Sequence, residues 1–230
     1  ARLLYRDGLM LVIDKPAGLA VHAGSTGADL LGKYLDALRF GLRQAPELAH
    51  RLDRDTSGCL VLGRHRKALA KLGKLFAEGQ VRKTYWAVVA GKPPREEGAV
   101  DMPLLKANTK QGWKMRVSAE GQPSLTEYRT LGAGDGMTWL ALEPRTGRTH
   151  QLRVHMAALG CPILGDPTYG GDATRAREVP LHLHARALTI PLYPKRAPIA
   201  CEAPVPAHMT ERLAACGWRE ADQGPTHGPS

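Results

Sequence analysis

The stretch that organises this chain is HRLDRDTSG, residues 50–58, which runs directly into the apolar segment CLVL, residues 59–62. Two arginines and two aspartates fall within positions 51–55. Thr-Ser-Gly favours a turn, and the apolar segment indicates a buried strand. The sequence therefore predicts carboxylates on a turn that a strand supports, which is a rigid base for a reactive group.

The charge of the whole chain fits this local pattern. The 230 residues include 32 Lys and Arg against 22 Asp and Glu, which gives a net charge of +10. Such a surface favours a polyanionic partner, either a nucleic acid or an anionic membrane. Arginines beside an aspartate keep it ionised, because positive charge favours the charged form. An ionised aspartate in a basic protein suggests chemistry on a polyanion.

Several classes of protein are disfavoured by the composition. No segment approaches the roughly 18 apolar residues of a membrane-spanning helix, and the N-terminal residues do not resemble a secretory signal. The four cysteines show no CxxC spacing, so we expect free buried thiols in a reducing cytoplasm and no metal site. His182 and His184 alternate as in a strand and could share a metal, but a structural role is the simpler interpretation.

Periodicity predicts more strands than helices. Apolar residues at helical spacing predict a helix over Arg66–Glu78, and Thr149 is placed to begin another that ends at Leu159. Gly132–Gly136 is typical of a hairpin loop, and Lys106–Arg116 is polar, basic and without clear period, as in a loop. Strands are predicted at 9–14, 59–62, 81–90, 100–105, 126–131, 137–142 and 182–190. Strands and helices do not alternate regularly, so we predict an α+β fold with a mixed, largely antiparallel sheet.

The nonapeptide resembles the catalytic motif of the RluA-type pseudouridine synthases, enzymes that isomerise uridine within RNA. Other segments are similar to further motifs of that family, and all of them occur in the family's order. These segments are DKPAGLAVHAG (14–24), RKTYWAVVAG (82–91), PRTGRTHQLRVHMAALGCPILGDPTYGG (144–171) and LHLHARAL (181–188).

This resemblance implies a bent sheet with flanking helices around a central active-site cleft. It also implies a single catalytic domain, here residues 1–216. The segment 217–230 is polar and contains Gly and Pro, so we expect it to be a flexible tail. The first family motif begins near Tyr5, so we expect this chain to lack the extra N-terminal RNA-binding domain that some relatives carry. Isomerisation involves no redox change, so no cofactor is expected.

The resemblance also assigns site residues. Chemistry alone does not choose between Asp53 and Asp55, but the family's catalytic aspartate follows the Arg-Leu pair and therefore matches Asp53. Whether this carboxylate attacks C1′ or removes a sugar proton stays open, since both roles are ordinary for aspartate. Arg153 matches the arginine that pairs with the aspartate, and Tyr85 matches the tyrosine that stacks on the target base.

Other matches concern the substrate. Leu152 corresponds to an apolar residue that lines the uracil pocket, and Arg51 to an arginine near the RNA. Phosphate contacts must offset the cost of everting a base from its stack. The candidate phosphate-binding residues are Arg54, Lys106, Lys110, Lys114, Arg116, Arg145 and Arg148.

Two other functions stay open at this point. A nucleoside or glycoside hydrolase could use Asp53 with Asp55 or Asp166, although neighbours in a turn are poorly placed to flank a glycosidic bond. A non-catalytic RNA-binding or ribosome-assembly protein would need only the charge. The preferred prediction is a cytoplasmic, monomeric RNA pseudouridine synthase that acts on a stem-loop of ribosomal or transfer RNA without a membrane or an obligatory protein partner.

Overall fold

The computed structural model describes residues 2–21, 30–109, 112–171 and 179–222. The helices in these ranges are α1 (Arg66–Ala77), α2 (Gln151–Ala158) and α3 (Ala207–Ala215), with 3₁₀ helices at Leu31–Leu38 and Glu220–Asp222. The strands are β1 (Arg2–Arg6), β2 (Met10–Lys15), β3 (Glu47–Leu48), β4 (Ser57–Gly63), β5 (Arg82–Ala90), β6 (Glu97–Asp101), β7 (Leu104–Thr109), β8 (Gly112–Val117), β9 (Leu125–Gly134), β10 (Met137–Pro144), β11 (Leu183–Ile190) and β12 (Ile199–Glu202). Short helices and mostly antiparallel strands confirm the predicted α+β class.

Contacts divide the chain into two compact units, where the sequence predicts one domain over residues 1–216. The first unit contains residues 1–83 and 184–206, and the second contains residues 84–183 and 207–222. Each unit therefore combines segments that are distant in sequence. The predicted bend and cleft stay predictions.

The first unit is built around β4. β2 pairs antiparallel with both β1 and β4, and β11 runs parallel to β4 with His184 opposite Ser57. Every residue of β4 is buried, in agreement with the apolar segment that predicts it. Gly58 lies at φ +105°, and a Cβ there would stand 2.3 Å from the carbonyl oxygen of Ala185. The close approach of β4 and β11 therefore requires glycine.

In the second unit β5, β10, β9 and β6 pair in that order, each antiparallel to its neighbour. The β9–β10 turn is Asp135-Gly136, and both residues have positive φ, as in a type I′ turn. This turn lies within the Gly132–Gly136 segment that predicts a hairpin loop.

The basic segment predicted as a loop is instead a hairpin. β7 pairs antiparallel with β8, so the predicted strand 100–105 is in fact the end of β6 and the start of β7. Leu104 and Met115 of this hairpin pack with Val154 of α2. The prediction was wrong because polar residues lie on the same face of the hairpin as Leu104 and Met115. They hide the alternation of polar and apolar residues by which a strand is recognised in a sequence. Lys110 lies outside the described residues.

α1 begins and ends within one residue of its prediction, whereas α2 begins differently. The residue before α2 is His150, in the left-handed region at φ 53° and without a side-chain cap, and Thr149 does not cap the helix. Gln151 closes this end instead, since its Oε1 accepts hydrogen bonds from the Arg148 N–H at 3.0 Å and from the Thr146 hydroxyl at 2.7 Å.

The start of the predicted tail is also corrected. Trp218 is 7% exposed, and its backbone N–H donates to the Leu213 carbonyl at 3.0 Å, so residues 217–222 pack with the second unit. Residues 223–230 lie outside the described ranges. All four cysteines are buried and free. Within the part of the chain that the structure describes, no helix is both long and apolar enough to span a bilayer.

Candidate active site

Asp53 lies on the turn that leads into β4. The Thr56 N–H donates to the Asp53 carbonyl at 3.2 Å, which closes the turn one residue before the strand begins. Leu52 is buried, and the Asp53 side chain is half-buried. Backbone geometry and the core thus hold this carboxylate where it still reaches solvent.

A buried lysine also holds this turn in place. Lys15 has no exposed surface, and its Nζ donates to the carbonyl oxygens of Pro16, Leu19 and Arg54 at 2.8–2.9 Å. The ammonium thereby joins the turn after β2 to the turn that carries Asp53. Burial lowers the pKa of Lys15 to about 8, although the carboxylates of Asp55, Asp53 and Asp14 act to raise it.

The other residues of this motif divide between solvent and core. Arg51 is exposed, and Arg54 forms a two-bond ion pair with Asp55 at 2.9 Å. The half-buried His50 ring stacks on Phe76 at 4.4 Å, and its Nε2 accepts the Val61 N–H at 3.0 Å. Burial, with the charge of Lys83, holds the pKa of His50 far below its usual range, so His50 is a neutral structural group.

Arg153 is the centre of a second polar cluster, in the second unit. Its Nε donates to Asp166 Oδ2 at 2.7 Å, and its NH2 donates to Asp166 Oδ1 at 2.8 Å. The Arg153 and Asp166 side chains are only 6% and 1% exposed. Oδ1 also accepts the N–H groups of Thr168 and Tyr169, and the Tyr169 ring lies 5.1 Å from the guanidinium carbon.

These contacts keep Asp166 ionised. Burial by itself would raise the pKa of Asp166, but the hydrogen bonds and charge of Arg153, together with the two backbone N–H groups, outweigh it and lower the pKa. From the sequence, Asp166 was predicted only as a possible second carboxylate of a hydrolase. Its role as the partner of Arg153 was not predicted. Its place in the GDPTYGG segment, after the helix, is the signal that could have identified it. The predicted contact of Arg153 with Asp53 stays a prediction.

Tyr85 and Leu152 are also buried side chains of the second unit, at 9% and 7% exposure. Tyr85 lies on β5 opposite Leu142 of β10. Trp86, the next residue of the strand, is half-buried and packs edge-on against Trp139 with ring centroids 4.7 Å apart. A tyrosine that is almost enclosed presents a small part of its surface to any substrate.

The predicted phosphate-binding residues of the second unit differ in what they contact. Lys106, Lys114 and Arg116 are exposed on the β7–β8 hairpin. Arg145 forms ion pairs with Glu127 at 2.6 Å and Glu143 at 3.6 Å, and the Arg148 Nε donates to the Pro123 carbonyl at 3.2 Å. The hairpin cations therefore offer the better phosphate contacts, because the charge of Arg145 is already compensated.

An aromatic cluster connects this hairpin to Arg153, and the sequence does not predict it. The Trp113 ring lies parallel to His150, and the His150 Nδ1 is 2.8 Å from the Tyr169 hydroxyl. Tyr169 in turn lies against Arg153. The left-handed backbone at His150 sets its ring between the two aromatic neighbours. No group of three potential metal ligands occurs among residues 2–21, 30–109, 112–171 and 179–222.

Comparison with known proteins gives one consistent result. A family model described as RNA pseudouridylate synthase matches residues 9–158, which include Lys15, Asp53, Tyr85 and Arg153. An RNA pseudouridine synthase of Zymomonas mobilis, named as uncharacterised, is 44% identical over 214 residues, which cover 91% of this chain and 96% of that protein. The mitochondrial pseudouridylate synthase RPUSD4 of Xenopus tropicalis is 36% identical over 257 residues, covering 93% of this chain and 79% of that protein.

A further relative and a solved structure agree with these matches. Ribosomal large subunit pseudouridine synthase C of Buchnera aphidicola is 41% identical over 170 residues, covering 74% of this chain and 54% of that protein. The solved structure of human RNA pseudouridylate synthase domain containing 4 has a TM-score of 0.77 at 30% identity and covers 93% of both chains. The chain therefore belongs to the RluA-type family of RNA pseudouridine synthases, as its motifs predict.

Proposed function

We propose that this chain isomerises specific uridines of structured RNA to pseudouridine and that Asp53 is the catalytic carboxylate. The observation that supports Asp53 is how it is held: its turn enters a fully buried strand and is fixed by the buried ammonium of Lys15. A carboxylate on such a support keeps one position relative to its substrate, which catalysis by proximity requires.

The reaction breaks the C1′–N1 bond of uridine and joins C1′ to C5 of the same base. The C5 proton leaves and N1 gains a proton, so no electrons are exchanged and no cofactor is needed. Asp53 either attacks C1′ or removes the proton at C2′. A primary kinetic isotope effect with 2′-deuterated uridine would support the second role.

The other site residues are proposed to prepare the base and the carboxylate. We propose that Arg153, whose guanidinium Asp166 already orients, also pairs with Asp53 and holds its carboxylate in one rotamer. Tyr85 stacks on the everted uracil, Leu152 lines its apolar pocket, and Arg51 contacts the RNA near the position that the base leaves. Tyr85→Phe, which keeps the ring, should then slow turnover far less than Tyr85→Ala.

The structure weakens the hydrolase alternative. A hydrolase needs a second carboxylate across the scissile bond. Asp166 is buried and accepts hydrogen bonds from Arg153 and two backbone N–H groups, and Asp55 is paired with Arg54. Both candidate partners of Asp53 are therefore already committed to other groups.

The test is to incubate the protein with ribosomal and transfer RNA and to map pseudouridine at single-nucleotide resolution. Asp53→Asn should abolish isomerisation while RNA still binds. Asp55→Asn is the matched control, because it removes a carboxylate from the same turn, and it should retain turnover. Isomerisation by Asp53→Asn at the wild-type rate would overturn the assignment. Release of free uracil would support a hydrolase, and binding without any change in the RNA would support a binding protein.

The substrate and setting are also proposals. The name of the Buchnera relative supports large-subunit ribosomal RNA as the first substrate to test, with transfer RNA as the second. We propose a stem-loop target recognised by shape. We further propose that the protein acts as a monomer in the cytoplasm, where its four free buried cysteines would stay reduced. Light scattering with size-exclusion chromatography and cell fractionation test these two points.

A further inference from the structure

Trp113 differs from the other tryptophans of the chain. It lies on β8 and is 46% exposed, whereas Trp139 and Trp218 are each 7% exposed and Trp86 is half-buried. An exposed indole on a strongly basic hairpin is unusual, because tryptophan brings a large apolar surface into water. The residues around Trp113 indicate a function for this exposed ring.

The indole is held in place although it is exposed. The His150 ring stacks on it with centroids 5.4 Å apart and an angle of 18° between the planes. Tyr169 fixes His150 in turn: its hydroxyl accepts the Met115 N–H at 3.0 Å and can donate to His150 Nδ1 at 2.8 Å. Trp113 is thus a positioned ring, and little conformational entropy is lost when a ligand stacks on it.

Positive charge lies close to this ring. The Lys106 Nζ is 4.5 Å from the indole centroid, and Lys114 and Arg116 are exposed on the other face of the same strand. A positioned aromatic ring among flexible cations is the arrangement by which proteins bind single-stranded nucleic acid, since the ring stacks on a base and the cations meet the phosphates. A base that stacks on Trp113 would displace the ammonium of Lys106 and leave it free to contact the phosphate of that nucleotide.

We propose that Trp113 is a stacking platform for an unpaired RNA base, with Lys106 as its phosphate contact. The platform accepts any base, because stacking does not read the base edges. It is continuous with the site described above, since His150 and Tyr169 link Trp113 to Arg153. The stacked base therefore belongs to a nucleotide that flanks the target uridine. This assignment of a flanking base rests on the proposed function, whereas the stacking itself does not.

The test uses intrinsic tryptophan fluorescence with an oligouridine of about ten nucleotides. All variants are made in the Asp53→Asn background, so that RNA is bound without turnover. Stacking of a base on an exposed indole quenches its emission. RNA should therefore quench the Trp113-containing protein, and Trp113→Phe should remove this quenching while the Kd changes by less than about threefold.

Removal of the ring should have a larger effect. Trp113→Ala should weaken binding by about 5- to 100-fold, the loss typical of one base–aromatic stack. Lys106→Met should retain the quenching and reduce the slope of log Kd against log salt by about one. Val117→Ala is the matched control, because Val117 is exposed on the same face of the same strand, and it should bind as the parent does.

Two outcomes would overturn the proposal: quenching that persists in Trp113→Phe, or a Trp113→Ala variant that binds within twofold of its parent and unfolds at the same urea concentration. Failure of the proposed function would look different. In that case the wild-type chain would form no pseudouridine in ribosomal or transfer RNA, but the fluorescence response to oligouridine and its dependence on Trp113 would remain.

Discussion

Replacement of Lys15 by methionine tests whether the turn that carries Asp53 rests on a buried charge. Methionine keeps most of the side-chain volume and removes the ammonium that three carbonyl oxygens accept. In the folded chain burial lowers the pKa of Lys15 to about 8. A lysine in the unfolded chain titrates near 10.4, roughly 2.5 units higher, and each unit corresponds to about 1.4 kcal/mol. The titration of this one group therefore changes stability by about 3 kcal/mol.

The direction of this change follows from proton binding. Below pH 8 the ammonium is charged in both states, and the native state bears the cost of burying it. Between about pH 8 and pH 10.4 the unfolded chain holds a proton that the native chain has released, so a rise in pH favours the native state. The contribution of Lys15 to the free energy of unfolding should therefore increase across this window.

The assay is urea denaturation of the wild type and of Lys15→Met at pH 7, 8, 9 and 10. In the difference between their free energies of unfolding, the contributions of groups that titrate in both proteins, such as the buried cysteines, cancel. This difference should move in favour of the wild type by about 2–3 kcal/mol between pH 7 and pH 10. Lys67→Met, at an exposed position of α1, serves as the control and should give a constant difference. A constant difference for Lys15→Met as well would refute the reasoning and show that the three carbonyl groups fully compensate the charge.

Two further substitutions probe the second unit by urea denaturation. Asp166→Asn removes the buried carboxylate that accepts two hydrogen bonds from Arg153, so the free energy of unfolding at pH 7 should fall by about 3–5 kcal/mol, and a loss below about 1 kcal/mol would mean that the pair is solvated. Because the pKa of Asp166 is lowered, its contribution should disappear as the pH falls below about 4, and the asparagine variant should lack this acid-dependent loss. His150→Gly should be more stable than His150→Ala by about 1 kcal/mol, since only glycine adopts the left-handed backbone without strain. Equal urea midpoints would show that residue 150 leaves this conformation when its ring is lost.

Local signals in the sequence predicted most of the fold. The continuous apolar segment after the nonapeptide predicts a strand buried on both faces, since such a strand needs no alternation of polar and apolar residues. β4 is indeed buried along its whole length. α1 was predicted closely, since its apolar face and its lysine face follow the helical period. The Asp-Gly pair at 135–136 places the β9–β10 turn through backbone preference alone.

Features that depend on distant residues were missed or misjudged. The β7–β8 hairpin exists because Leu104 and Met115 pack against α2, and nothing in the segment itself reports that contact. Thr149 is a good helix cap by propensity, yet Gln151 performs the closure through residues that precede the helix. Tertiary contacts override local preference in both cases. The motif residues were placed by resemblance, and their partners, Lys15 and Asp166, became visible only in three dimensions.

The pair of Arg153 and Asp166 is better explained by orientation than by stability. Two charges that are 6% and 1% exposed must both lose their water, and apolar side chains of similar volume would usually stabilise a fold at least as well. What an apolar pair cannot provide is a fixed guanidinium. Two parallel hydrogen bonds set the plane of Arg153, and two backbone N–H groups set Asp166, so the charge points in one direction from a rigid helix. The proposed role of Arg153 as the partner of Asp53 requires this kind of orientation, and the fold can accept the desolvation cost because the rest of the unit supplies the stability.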